Sequence, residues 1–128
     1  MRVLLDTHAF LWLVTDDSRL SRKSRSVFLD DCNDILISAV TGFEIAVKYS
    51  LGKLGLSQRP DLFIAERIEA NALTVLPLAM GHAIAVGSLP FHHRDPFDRL
   101  LIAQALIERI PVLSNDKVFN AYGVKRIW

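Results

Sequence analysis

The strongest constraint on this chain is a repeated junction: a short apolar, β-prone run that stops at a polar residue and passes directly into a helical pattern. Arg2 to Leu5 is apolar with no polar alternation, the pattern of a strand buried on both faces, and it ends at Asp6-Thr7. Asp34 to Ser38, Leu73 to Leu78 and Ile110 to Ser114 read as further strands, and Val124 to Trp128 as a last strand at a sheet edge. Helices are predicted from Thr7 through Leu13, from Arg22 to Asp31, from Thr41 toward Leu51, from Pro60 to Asn71, from Met80 to Ser88 and from Pro96 to Arg109. A helical turn from Val118 to Tyr122 is stopped by Gly123. Thr7 is placed to cap the first helix, and Thr41 followed three residues later by Glu44 has the form of a capping box. Asp95 before Pro96 marks the start of the long helix, with Asp98 favoured in its first turn by the helix dipole.

Regular alternation of strand and helix predicts an α/β fold, a parallel sheet covered by helices on both faces. Right-handed crossovers then place every strand-to-helix corner on one edge of that sheet. With 128 residues, the chain is expected to form a single domain over 1–128. Hydrophobic residues at 51% and charged ones at 23% describe an ordered globular protein, and a net charge of +1 requires any polyanion site to be a local patch. The lone Cys32 excludes an internal disulfide or a thiolate metal cluster, and reads as a small semi-buried residue in a reducing cytosol. No apolar stretch approaches the roughly 18–20 residues that span a bilayer, and the first apolar run is too short for a signal peptide. A cytoplasmic protein with no membrane partner is the expectation.

The corner arrangement gathers acids. Asp6 follows the first strand, Glu44 the second and Asp116 the fourth, while Asp98 opens the helix that enters the fourth. Each has a plain structural role available: capping for Asp6 and Asp98, and an i, i+4 salt bridge with Lys48 for Glu44. Together they lie where parallel sheets bind ligands, and four converging carboxylates repel one another unless a cation neutralises them. With oxygen donors alone in these positions, Mg²⁺ or Mn²⁺ is the natural match, and one or two ions would satisfy the set. Ions of this kind activate water against a phosphodiester. No Ser/His/Asp or Cys/His arrangement competes.

Four stretches carry a resemblance to a known family: Leu5-Asp6-Thr7-His8, then Ile37-Ser38-Ala39 with Thr41 and Glu44, then His93-Arg94-Asp95-Pro96-Phe97-Asp98-Arg99-Leu100-Leu101-Ile102-Ala103-Gln104-Ala105, and Ser114-Asn115-Asp116. In these the chain resembles PIN-domain ribonucleases of the VapC toxin type, over nearly its whole length. The resemblance implies a three-layer fold, an approximately five-stranded parallel sheet with the first strand central and helices on both faces. It also implies a metal-dependent endoribonuclease that cleaves RNA, paired with a small VapB-like antitoxin and assembled as a homodimer. By the same resemblance Asp6, Glu44, Asp98 and Asp116 are the catalytic, metal-binding acids. Thr7 and Ser114 match polar positions that hold a water, metal or phosphate, and Asp95 is the helix cap or a group just outside the ligands. The family commonly has Ser and Trp where Thr41 and Phe43 stand; both replacements are expected to keep the capping hydroxyl and a buried aromatic.

His93, Arg94, Arg99 and Lys48 are candidate RNA contacts, each with an ordinary alternative: a solvated loop for His93 and Arg94, an ion pair for Arg99 and Lys48. His8 and His82 read as structural, and Trp12 and Trp128 as core or interface residues. Two other functions fit parts of the pattern. A receiver-like Mg²⁺-binding signalling module would need adjacent acids after the first strand, yet Thr7 follows Asp6. A catalytically silent PIN fold that only binds a partner would not need the full acid set.

Overall fold

The computed structural model describes residues 1–128. Its elements run β1 (Arg2–Leu5), α1 (Thr7–Val14), α2 (Arg22–Leu29), β2 (Asp34–Ser38), α3 (Ala39–Ser50), α4 (Pro60–Ala70), β3 (Thr74–Leu76), α5 (Met80–Ala85), α6 (Pro96–Glu108), β4 (Val112–Leu113), α7 (Val118–Ala121) and β5 (Arg126–Ile127). The five strands form one parallel sheet in the order β3-β2-β1-β4-β5, so the first strand is central and the fifth lies at an edge, as expected. In a receiver-like sheet the first strand lies beside the third; here it lies between the second and the fourth, and that reading is dropped.

Two-sided burial explains the unbroken apolar run of β1. Val3 and Leu5 face one layer with Phe10, Leu13 and Phe63, while Leu4 faces the other with Leu101, Ile102 and Phe119. All three strand residues are 0% exposed. Each such side chain contributes roughly 1.5–3 kcal/mol by leaving water. The alternation fixes register, because a slip of one residue would exchange the two cores.

Several local expectations are corrected. Asp6, rather than Thr7, caps α1, its side chain accepting the Ala9 N–H. The helix after β2 starts at Ala39 with Ser38 as its cap, so Thr41 lies inside α3 and forms no capping box. Ser38 wins because β2 turns into the helix with no intervening loop, and its Oγ accepts the Val40 N–H at 2.9 Å. Phe43 is 61% exposed rather than buried; it meets Phe97 edge-on at 5.7 Å between ring centroids. Cys32 is exposed on the turn before β2. The Met80–Ser88 segment is α5 followed by a single 3₁₀ turn, Val86–Ser88. No helix is long and apolar enough to cross a membrane.

Helix α6 starts as its sequence indicates. Pro96 occupies the first turn, and the Asp95 side chain accepts the N–H groups of Phe97 at 2.8 Å and Asp98 at 3.1 Å. At the other end Arg109 closes the helix with φ +56, a left-handed conformation that normally favours glycine.

Candidate metal centre

Asp6 leaves the carboxyl end of β1 and is 4% exposed. Its Oδ1 accepts the Ala9 N–H at 2.7 Å, which fixes the side chain at the corner. Burial pushes its pKa up; hydrogen bonds from Ser114 and Ala9 and the nearby His8 work against that rise, and Asp116 adds to it. Glu44, one and a half turns into α3, is 3% exposed. Thr7 donates to its Oε1 at 2.7 Å, and the Lys48 ammonium pairs with its Oε2. The Thr41 hydroxyl lies 3.2 Å from that of Thr7, so Thr7 holds the glutamate from α1 and Thr41 braces Thr7 from α3.

Asp98 lies in the first turn of α6. Burial first, then the charges of Asp95, Asp6 and Glu44, push it up to about 7, with His93 pulling the other way. Asp116 stands beyond β4, its Oδ1 accepting the Val118 N–H at 2.9 Å and its own N–H donating to Ser114 Oγ at 3.0 Å. Four acids from four corners therefore share one electrostatic neighbourhood at the carboxyl edge of the sheet. Lys48 is held high by its hydrogen bond to Glu44 and by the attraction of Glu44, Asp95 and Asp98, which keeps a cation beside the acids.

The remaining candidates divide. Ser114 is fully buried and joins Asp6 to Asp116. Asp95 is the cap of α6 and also one of the charges that raise Asp98. Arg94 is exposed on the loop before α6. His93 does not project to solvent as a basic loop residue: its Nε2 lies 2.9 Å from Asp98 and 3.3 Å from Asp116. Ligand-capable atoms of His93, Asp98 and Asp116 all fall within 4.8 Å of one another. Arg99 is a correction. It is 5% exposed and donates to the carbonyls of Pro90, His93, Val86 and Leu89, so its guanidinium is taken up by the loop backbone and pairs with no acid. Successive helical residues point about 100° apart, which separates Arg99 from the acid beside it.

The sequence reading gives Thr41 only a capping role, and gives Gln104 and Tyr122 none. Gln104 is fully buried, accepts from Ser38 and donates to the Pro77 carbonyl at 3.3 Å, tying α6 to the ends of β2 and β3. A lone glutamine in the run Leu100 to Ala105 was the available signal. Nothing in the sequence marks Tyr122 as a partner of the His93 loop.

The donor set, oxygen-rich and crowded enough to hold a carboxyl near neutrality, fits a hard divalent cation. Beside it runs a groove of about 530 Å³ that shares Thr7, Glu44 and Lys48 with the acids and carries Arg19, Lys53 and Arg67 along its walls.

The computed structure resembles solved ones along almost its full length. VapBC2 from Rickettsia felis, solved with a DNA fragment from its promoter, superposes with a TM-score of 0.72 at 15% identity, covering 98% of this chain and 97% of that one. FitAB bound to an IR36 DNA fragment gives 0.66 at 17% identity, covering 97% and 92%. FitAcB from Neisseria gonorrhoeae gives 0.62 at 20% identity, covering 97% and 95%. No curated protein sequence matches the chain. The PIN domain profile matches residues 3–125, and the chain belongs to the PIN domain family.

Proposed function

We propose that this chain is a VapC-type endoribonuclease dependent on Mg²⁺ or Mn²⁺, acting in the cytoplasm as the toxin of a toxin–antitoxin pair, with residues 1–128 working as one domain. The observation that carries this reading is the convergence of Asp6, Glu44, Asp98 and Asp116 at one sheet edge, with Asp98 raised to about 7 by burial first and then by the neighbouring carboxylates. When bound, the metal would supply charge neutralisation, an activated water and stabilisation of the leaving oxygen of a phosphodiester.

The chain's own residues account for the rest. Asp6, Glu44, Asp98 and Asp116 would hold the cation, and Thr7 keeps Glu44 oriented by its hydrogen bond. Ser114 braces the corner between Asp6 and Asp116. Arg19, Lys48, Lys53 and Arg67 line the adjoining groove, where they suit the backbone phosphates of an RNA strand. Arg94, exposed on the loop before α6, is a further phosphate contact in this reading. The likeness to VapBC2 and FitAB supports a small VapB-like antitoxin that covers the acids. A homodimer belongs to the same reading, supported by the exposed apolar side chains Met80 and Ile84 of α5.

Purified protein freed of any partner should cut RNA in Mn²⁺ or Mg²⁺ and stop on addition of EDTA. Asp6→Asn and Glu44→Gln should lose nearly all cleavage while remaining folded. Cleavage by either variant at the wild-type rate would show that the acids are not the site. Mn²⁺ binding without cleavage of any RNA would favour a silent, partner-binding PIN fold.

A further inference from the structure

We propose that His93 is a positioning residue for the metal-binding acids, its Nε2 edge standing between Asp98 and Asp116 and setting their spacing while its Nδ1 is held by the Asp95 backbone. The inference rests on the metal reading above and adds a member that the four-acid set does not include.

The protonation of the ring follows from one contact. The Asp95 backbone N–H points at His93 Nδ1 at 3.1 Å. A backbone amide can only donate, so Nδ1 presents its lone pair and the single ring proton sits on Nε2. Nε2 lies 2.9 Å from Asp98 Oδ2 and 3.3 Å from Asp116 Oδ2, and carboxylate oxygens only accept. The Nε2 edge of the ring therefore stands at ion-pair distance between two carboxylates from different elements, the first turn of α6 and the corner after β4. The same tautomer keeps Nε2 from acting as a ligand, because a protonated ring nitrogen has no lone pair to give. Its distance to the acids is that of a ligand; its chemistry is that of a donor.

The ring is held with unusual thoroughness for a loop residue. The His93 N–H donates to the Tyr122 hydroxyl at 2.8 Å, and that hydroxyl donates to the Pro90 carbonyl at 2.8 Å. Arg99 then ties the segment to α6 through the carbonyls of Val86 at 3.1 Å, Leu89 at 3.2 Å and Pro90 at 2.8 Å. Its guanidinium stacks on Phe91, 4.2 Å from the ring centroid. Asp98 and Arg99 are adjacent in sequence, so the helix that carries the carboxylate also anchors the loop that carries its donor.

Two carboxylates that must share a cation repel one another before it arrives. The Nε2 edge fixed between them offsets that repulsion and sets their spacing in advance. Groups of this kind, which touch ligands without touching the metal, are worth about 10–100-fold in metal affinity.

The test is Mn²⁺ titration of the full chain, followed by EPR, for wild type, His93→Ala, His93→Gln and Tyr122→Phe, with melting curves in EDTA as the folding control. Glutamine places an amide N–H close to where Nε2 stands. His93→Ala should weaken Mn²⁺ binding about 10–100-fold, His93→Gln should restore most of the loss, and Tyr122→Phe should fall between them. Imidazole ¹⁵N spectra of the metal-free protein should place the proton on Nε2, and pulsed EPR of the Mn²⁺ form should show no directly bonded nitrogen. Wild-type affinity in His93→Ala would overturn the positioning role, and a bonded nitrogen would make His93 a ligand instead. If His93→Ala does not fold, failure of His93→Gln to bind better than Tyr122→Phe overturns the proposal. A wild type that binds no Mn²⁺ would remove the metal reading itself, a result distinct from all of these.

Discussion

Replacing Asp98 with asparagine should abolish metal-dependent cleavage and at the same time stabilise the metal-free fold. Asp98 is faced from every side of the pocket, by the carboxylates of Asp6 from the end of β1, Glu44 from α3 and Asp95 from the start of its own helix, and by the His93 ring from the loop. Lys48, paired with Glu44, also feels its charge. Burial and the surrounding carboxylates raise Asp98 from 3.8 to about 7. A carboxyl raised in the fold is disfavoured there in its charged form. Below about pH 3.8 it is protonated folded and unfolded alike and carries no penalty. The penalty grows as pH climbs from 3.8 toward 7 and is complete above about 7. A rise of this size corresponds to ~4 kcal/mol at about 1.4 kcal/mol per unit. Asparagine keeps the volume and an oxygen for His93 but gives up the stronger acceptor, so a net gain of ~2 kcal/mol is expected. For a chain of this length that is about 6–10 °C in Tm.

Melting curves of wild type and Asp98→Asn in EDTA from pH 4.5 to 8.5 measure this directly. The variant should melt higher at pH 8, and the gap should close toward the acid end. Saturating Mn²⁺ should stabilise wild type by about 2.7 kcal/mol at a hundredfold excess over Kd and leave the variant little changed. A variant that melts below wild type at pH 8 in EDTA would refute the reasoning, because it would mean that the Asp98 charge is favourable to the fold.

Asp95→Asn should keep the cap, since asparagine caps as well as aspartate, yet lower the pH at which Asp98 ionises by removing its largest charged neighbour; the acid limb of the pH–rate profile should move down. Asp95→Ala should instead cost about 1 kcal/mol in denaturant titrations through loss of the bonds to Phe97 and Asp98. Arg109→Gly should gain about 0.5–1 kcal/mol by relieving the left-handed backbone at the end of α6, with cleavage unchanged. Leu4→Ala should cost about 2–5 kcal/mol, since Leu4 is 0% exposed on the central strand.

What the sequence made legible was set by short-range physics. The apolar run of β1 announced its two-sided burial, and Asp95-Pro96 marked the start of α6 because both residues act on the backbone next to them. The start of α3 was misread for the same reason. Ser38 and Thr41 each offer a hydroxyl to a helix start, and only the path of the chain decides between them; Thr41 is drawn inward to Thr7 instead. Arg99 and His93 show the larger gap. Both lie in the motif with the strongest resemblance, and both were read as candidate RNA contacts from their charge. Their partners are backbone carbonyls of residues 86–93, the Tyr122 hydroxyl and two carboxylates, which come together only once the loop has folded back over α6.

The sequence posed capping and metal binding as rival explanations for the acids, and the geometry joins them. Asp6 uses Oδ1 to hold the Ala9 N–H, Asp116 uses Oδ1 to hold the Val118 N–H, and Asp95 uses Oδ1 to hold the first turn of α6. In Asp116 the second oxygen, Oδ2, is the one that meets His93 and the pocket. A carboxylate anchored by one oxygen to a helix start has its rotamer fixed by the backbone, so its other oxygen is aimed without further support. The cap lowers the entropy cost of assembling like charges, and the helix dipole offsets part of their repulsion. A bare acidic cluster on flexible side chains would spread apart. This one is held together by the same bonds that begin its helices, which is why removing a charge at Asp98 and removing a cap at Asp95 should have opposite effects on stability.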